Sequence, residues 1–123
     1  MGAHEGLHEP EHALQHETLE VHRALISLVE ELEAIDWYAQ RVDASTDATL
    51  AAVLAHNRDE EREHAAMTLE WLRRTDPKWD EVLRTYLFTD APIVEVEARV
   101  EKNDDAPATN GEIRLGALRE ERT

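Results

Sequence analysis

Apolar residues recur at helical spacing along the first half of the chain. Between about residues 11 and 43, large aliphatic side chains return every three, four or seven positions, with no Gly or Pro among them. They are Leu14, Val21, Leu25, Leu28, Leu32 and Ile35. This heptad-like period predicts one long α-helix with a single apolar stripe. The polar stretch at 43–47 is rich in residue types that cap helices, so it predicts a turn.

A second helix is predicted over 47–74, and its stripe changes character midway. The stripe consists of Leu50, Leu54, Asn57, Glu61, His64, Thr68 and Trp71. Three polar residues, Asn57, Glu61 and His64, therefore stand in the middle of an apolar seam. A buried polar group without a partner costs roughly 1–3 kcal/mol. We therefore expect something at this seam to satisfy them.

Two proline-marked breaks divide the rest of the chain. Asp76 before Pro77 has the form of an N-cap followed by a first helical residue, and it predicts a short helix over 77–88. A second break at 89–92 precedes a last short helix that ends at about residue 102. The predicted organisation is a flexible N-terminus at 1–10, a helical domain at 11–102, a linker at 103–112 and a tail at 113–123. No strand is predicted, so the fold class is all-α.

The two long helices are predicted to need a partner. About 30 residues of helix span roughly 45 Å, which exceeds the ~30 Å of a small compact domain. Joined by a short turn, two such helices form an antiparallel hairpin with apolar area left over, and the later helices are too short to cover it. We therefore expect a dimer in which two hairpins form a four-helix bundle.

Glu61 and His64 share one face of the second helix because they are three residues apart. Glu31 precedes the predicted turn by about as many residues as Glu61 follows it, so the two lie at similar heights in the hairpin. Di-iron sites in four-helix bundles take a Glu from each of two helices and a Glu-x-x-His pair from each of the other two. One chain thus supplies half of that ligand set. Hard oxygen and imidazole ligands suit iron, manganese or zinc.

Two histidine features have plainer alternatives. For Glu61 and His64, the alternative is a polar pair satisfied at an interface. A further run of histidines recurs at every fourth position and would bind a divalent metal if it were helical, but Pro10 interrupts the run and favours a solvated terminus. The run consists of His4, His8, His12 and His16.

Composition excludes several classes of protein. The 123 residues include 28 acidic and 13 basic ones, for a formal charge of −15. Nucleic acids and anionic lipids attract basic surfaces, so neither is expected as a partner. No apolar run approaches the ~20 residues of a membrane span, and no secretory signal is visible. The chain has no cysteine, which excludes disulfides and thiolate sites and fits an intracellular protein.

Three blocks of the sequence are highly specific. They are EELEAIDWY at 30–38, QRVDASTD at 40–47 and HNRDEEREHAAMTLEWLRR at 56–74. These blocks closely resemble the encapsulated ferritins, which are ferroxidases packaged inside encapsulin nanocompartments, and the likeness covers roughly residues 14–100. The resemblance implies a ferritin-like two-helix protomer, a di-iron site between two protomers and a ring-shaped decamer built from dimers.

Matched by position, the resemblance also implies roles for individual residues. Glu31, Glu61 and His64 look like the iron ligands, with Ca, Zn or Mn as other possible occupants. Glu30 and Glu33 look like an outer carboxylate cluster that captures incoming metal. The flanking residues are Trp37, Tyr38 and His56. The alternatives are ordinary interface packing for the two aromatic residues and solvation for the histidine.

The end of the chain is similar to the short peptides that dock cargo on the inner wall of an encapsulin shell. Its anchors would be Ile113, Leu115, Gly116 and Leu118. A flexible tether with a few aliphatic anchors suits such docking, and the alternative is a disordered tail with chance leucines. The resemblance thus implies a cytoplasmic, encapsulin-enclosed ferroxidase that uses dioxygen or peroxide for iron storage or detoxification.

Two other functions fit the same residues. A non-enzymatic metal buffer or chaperone would bind divalent ions at the carboxylates without turnover. A purely structural coiled-coil assembly would use Glu31, Glu61 and His64 only as polar groups at its interface.

Overall fold

The computed structural model describes residues 6–104, which are helical and contain no β-strand. The all-α prediction is therefore confirmed. A short 3-10 helix and four α-helices follow one another: Glu11–Ala13, α1 His16–Ala44, α2 Ala48–Thr75, α3 Pro77–Tyr86 and α4 Ile93–Asp104. The chain divides into two compact units, Met1–Leu72 and Arg73–Thr123. No helix within 6–104 has an apolar run long enough to cross a bilayer.

In the first unit, α2 runs back along α1 after a connection of three residues. Asp47 caps α2, because its Oδ1 accepts hydrogen bonds from the backbone N–H of Thr49 at 2.9 Å and of Leu50 at 3.1 Å. The backbone N–H of Ser45 donates to the carbonyl of Arg41 at 2.9 Å and closes the last turn of α1. The predicted turn is confirmed. The Asp47 side chain fixes where α2 begins, and the backbone of Ser45 closes α1.

The start of α1 differs from the prediction of one helix from Glu11. Leu14 and Gln15 have extended backbone, with ψ of 141° and 152°, so the helix begins at His16. The prediction was wrong here because apolar spacing does not report a backbone break, and Leu14 continues the stripe from outside the helix. Before the break, Gly6 has φ +87°, and a Cβ there would lie 3.1 Å from Cε1 of His22. Whether residues 1–10 are flexible remains a prediction.

Within the first unit, the buried positions of α2 are not those of the predicted seam. Ala65 and Leu72, which flank the predicted stripe, are buried, whereas Leu50 and Trp71 of the stripe expose 50% and 41% of their surface. The predicted stripe therefore lies at the edge of the buried line. Each buried residue directly follows a stripe residue, and helical spacing alone does not distinguish two such neighbouring positions.

The second unit contains a carboxylate, Asp80, that is paired with two arginines. Asp76 caps α3 by accepting from the backbone N–H of Lys78 at 2.9 Å, and Pro77 is the first helical residue, as predicted. One turn further on, Oδ1 of Asp80 accepts hydrogen bonds from Arg73 and, at 2.8 Å, from Nε of Arg84. Partial burial alone would raise the pKa of Asp80. The two arginines outweigh that effect and hold the pKa below its ordinary value of 3.8.

The boundaries of the short helices also differ from those predicted. α3 ends at Tyr86 rather than residue 88, because Leu87 has extended backbone with ψ of 147° and Phe88 then adopts a left-handed φ of 61°. The hydroxyl of Thr89 donates to the carbonyl of Tyr86 at 2.8 Å and satisfies that helix end. α4 extends to Asp104, so it includes two residues that the sequence assigned to the linker.

Candidate metal site

Glu31 reaches from α1 to α2 and has one oxygen without a partner. Its Oε1 accepts a hydrogen bond from the hydroxyl of Thr68 at 3.4 Å. Its Oε2 is buried and has no hydrogen-bond partner. A buried carboxylate oxygen that no donor satisfies costs free energy, so this atom needs an explanation.

Glu61 and His64 lie one turn apart on α2, as their spacing predicts. Oε1 of Glu61 is 3.7 Å from Nδ1 of His64. The Glu61 side chain is 26% exposed and that of His64 is 46% exposed. Both side chains therefore keep accessible surface from which they can bind a ligand or meet a second chain.

The three predicted ligands do not form a closed group in one chain. Glu31 makes its contact at Thr68, which is four residues beyond His64 and seven beyond Glu61. Within residues 6–104, no three His, Asp or Glu side chains lie close enough together to hold a metal ion. That a second copy completes the ligand set stays a prediction.

The two outer carboxylates, Glu30 and Glu33, are exposed. Trp37 is 50% exposed. Tyr38 is half-buried, and the guanidinium carbon of Arg41 lies 5.3 Å from the centre of its ring. This distance is that of a cation–π contact, which holds the tyrosine ring against its own helix.

His56 does not contact the predicted ligands. Its Nε2 lies 2.8 Å from Oε1 of Glu60, and its side chain is 69% exposed. Of the N-terminal histidines, His8, His12 and His16 are exposed, and His4 lies outside the described residues. The predicted anchors of the tail, residues 113–118, also lie outside them.

Sequence reasoning assigned no role to Thr68, although it lies on the predicted stripe. The structure places its hydroxyl between Glu31 and the backbone of His64. The sequence carried only part of the signal, because Thr68 stands one turn after His64 on the same stripe. The register that brings it to Glu31 is not contained in the spacing.

An exposed apolar surface runs along both long helices. Side chains that would normally be covered are between 37% and 59% exposed, among them Leu25, Ile26, Val29, Leu32, Val53 and Met67. Leu25, Val29 and Leu32 share one face of α1 by their spacing, and exposed apolar surface of this kind is typical of an interaction site. It lies on the same two helices as the predicted ligands.

The described residues form an all-α protein. Its two long helices carry carboxylate and imidazole side chains, which are the ligand types that suit a hard divalent metal. The chain belongs to the EncFtn-like family, whose model matches residues 6–90. The resemblance to encapsulated ferritins that the sequence blocks indicated is thereby confirmed.

Individual relatives agree with this placement. The chain is 69% identical over 91 residues to the "Encapsulated ferritin-like protein" of Rhodospirillum rubrum, a match that covers 74% of this chain and 65% of that relative. It is 43% identical over 53 residues to the "Encapsulin nanocompartment cargo protein EncC" of Myxococcus xanthus, covering 43% of this chain and 41% of that one. Among solved structures, protein ne0167 of Nitrosomonas europaea matches with a TM-score of 0.69 and 61% identity, over 72% of this chain and 97% of that one.

Proposed function

We propose that this protein is a ferroxidase that oxidises Fe²⁺ to Fe³⁺ at a di-iron site shared between two subunits. Glu31, Glu61 and His64 of each subunit supply the ligands. Each Fe²⁺ gives one electron to dioxygen or peroxide, and the Fe³⁺ product is released for storage. Membership of the EncFtn-like family supports this proposal.

The observation that carries the proposal is the unpaired Oε2 of Glu31. It is buried and accepts no hydrogen bond, while Oε1 of the same carboxylate is held by Thr68. A cation bound at Oε2 would satisfy the oxygen that the protein leaves unsatisfied. The residues present therefore fit an iron substrate.

Charge balance across a dimer supports the same site. Two copies of Glu31 and Glu61 bring four carboxylates together, and neutral His64 adds none, so the ligand charge of about −4 matches two Fe²⁺ ions. Without metal, the carboxylates would repel one another in a partly desolvated place. The exposed Glu30 and Glu33 would then collect incoming cations outside the site.

The apolar surface of the hairpin supports assembly into dimers, and from dimers into a ring-shaped decamer. We further propose that the protein is cytoplasmic cargo of an encapsulin shell, to which the tail anchors at 113–118 bind. Two relatives, one named an encapsulated ferritin-like protein and one named an encapsulin nanocompartment cargo protein, support the association with a shell. An open ring has no enclosed cavity, so storage would depend on the compartment.

The direct test is oxygen-dependent formation of Fe³⁺ by the wild type and by Glu31→Ala, Glu61→Ala and His64→Ala. We expect each variant to lose about a hundredfold or more in rate, because removing one ligand leaves a broken site. Glu17→Ala is a matched control, since Glu17 is an exposed acidic residue in the first turn of α1. It should oxidise iron at the wild-type rate.

The same assay separates the proposal from the other functions. A metal buffer would bind Fe²⁺ in proportion to the carboxylates but form Fe³⁺ no faster than buffer alone. Equal oxidation by wild type and all three variants would instead show that the site is elsewhere.

A further inference from the structure

We propose that Thr68 is a positioning residue for the Glu31 carboxylate. Its hydroxyl holds one oxygen of Glu31 so that the other is left for the metal. This inference rests on the proposed function, but it concerns a residue that takes no part in binding the metal directly.

The geometry around Thr68 is that of a bridge between two predicted ligands. Its Oγ1 lies 3.1 Å from the backbone carbonyl of His64 and 3.4 Å from Oε1 of Glu31. The hydroxyl has one proton to share between these two acceptors, and the contact with Glu31 is the longer. The first contact is the usual bond of a helical threonine to the carbonyl four residues before it. It fixes the hydroxyl on the side of α2 that faces Glu31, 37 residues away in sequence.

The two oxygens of Glu31 are made unequal by this arrangement. Oε1 has a hydroxyl within reach, whereas Oε2 is buried with no partner at all. A carboxylate on a long, flexible side chain has several rotamers, and a hydrogen bond at one oxygen restricts them. The unpaired oxygen is thereby presented in one place, as a metal ligand requires.

The residue type fits a positioning role better than a packing role. Thr68 is only half-buried, and a valine of the same shape would fill the same space and suit the neighbouring apolar residues. Only the hydroxyl can contact Glu31 and His64 as observed. Threonine is also branched at Cβ, so its side chain is stiff and holds the hydroxyl in place.

Co²⁺ binding to the full-length, metal-free protein tests the proposal without requiring turnover. Its visible absorption bands report the number and geometry of the ligands, and titration gives the dissociation constant. The proteins compared are wild type, Thr68→Val, Thr68→Ser and Glu31→Ala. Thr49→Val, the same change at an exposed position of α2, is the matched control.

We expect Thr68→Val to bind Co²⁺ roughly tenfold more weakly, with altered bands, because partners of metal ligands typically contribute 10–100-fold to affinity. Thr68→Ser should restore both, because it keeps the hydroxyl. Thr49→Val should resemble the wild type, and Glu31→Ala should lose the site.

Three results would overturn the inference, and they are distinguishable. If Thr68→Val matches the wild type while Glu31→Ala loses Co²⁺, the metal site stands and Thr68 has no positioning role. The same conclusion follows if Thr68→Ser is as weak as Thr68→Val, because the methyl group and not the hydroxyl would then matter. If Glu31→Ala also binds normally, the proposed site itself is wrong.

Discussion

Glu31 and Asp80 are both partly buried carboxylates, but they differ in how their oxygens are hydrogen-bonded. Asp80 accepts from Arg73 and Arg84, which lie within seven residues of it. Glu31 has one weak contact, from Thr68, and a buried oxygen with none. In the second unit, nearby arginines satisfy Asp80. In the first unit, one oxygen of Glu31 has no hydrogen-bond partner. This contrast is the one that the proposed function predicts, with Asp80 serving structure and Glu31 binding the metal.

Of the experiments that distinguish Glu31 from Asp80, removal of metal should have the largest effect, and that effect should be on subunit association. Chelation of the assembled protein leaves the carboxylates of facing hairpins unneutralised, so we expect the oligomer to shift toward dimer or monomer. A metal that binds only the assembled form stabilises it by mass action. Native mass measurement at fixed subunit concentration should show at least roughly tenfold weaker association.

The same measurement on Asp80→Asn shows whether the effect belongs to the first unit. This variant should respond to chelator as the wild type does. Assembly that is indifferent to chelator in both proteins would count against a metal between the subunits.

Neutralising each carboxylate should separate their roles in stability. Asp80→Asn leaves two arginines without their carboxylate, so the free energy of unfolding should fall by about 1–2 kcal/mol. Glu31→Gln, measured without metal, should leave that free energy unchanged or raise it, because it removes an unpaired buried charge. Urea unfolding at constant protein concentration measures both.

Asp59→Asn is the matched control for Asp80→Asn. Asp59 also pairs with an arginine, Arg62 at 2.9 Å, but its side chain is 60% exposed. Its loss should change the unfolding free energy by less than about 0.5 kcal/mol. If Glu31→Gln destabilises the metal-free protein as much as Asp80→Asn does, the two carboxylates are equivalent and the comparison fails.

Lowering the pH should produce the smallest effect, which is a change in the stability difference between the wild type and Asp80→Asn. The folded-state pKa of Asp80 lies below 3.8, so its contribution to stability is present above that value and is lost as pH falls through the folded pKa. The stability difference between wild type and Asp80→Asn should therefore be constant above about pH 5 and shrink below pH 4. A difference that stays constant down to pH 2.5 would show that ionisation of Asp80 contributes nothing.

Local chemistry made much of the fold predictable. Asp47 and Asp76 act through backbone groups two or three residues away, so their capping roles follow from sequence alone. The break at Leu14 and the buried line through Ala65 did not follow from it. The break is a change of backbone conformation that apolar spacing does not report, and the buried line depends on which of two neighbouring faces of α2 is covered.

In the candidate site too, the arrangement within one helix was predictable, whereas the contact between two helices was not. The one-turn pairing of Glu61 and His64 is a property of a single helix, and the sequence predicted it correctly. The contact of Glu31 with Thr68 joins residues 37 positions apart and depends on the register of the two helices. Height along the hairpin predicted that Glu31 lies level with Glu61, whereas its contact is with Thr68, seven residues further along α2.

The central claim is that the unpaired oxygen of Glu31, Oε2, binds iron between two subunits. The most direct measurement is anomalous diffraction at the iron absorption edge from crystals grown with Fe²⁺. We predict paired iron peaks bonded to Glu31, Glu61 and His64, with ligands from two copies of the chain. Peaks confined to Glu30 and Glu33, or no peak beside Glu31 in iron-loaded crystals, would contradict the account.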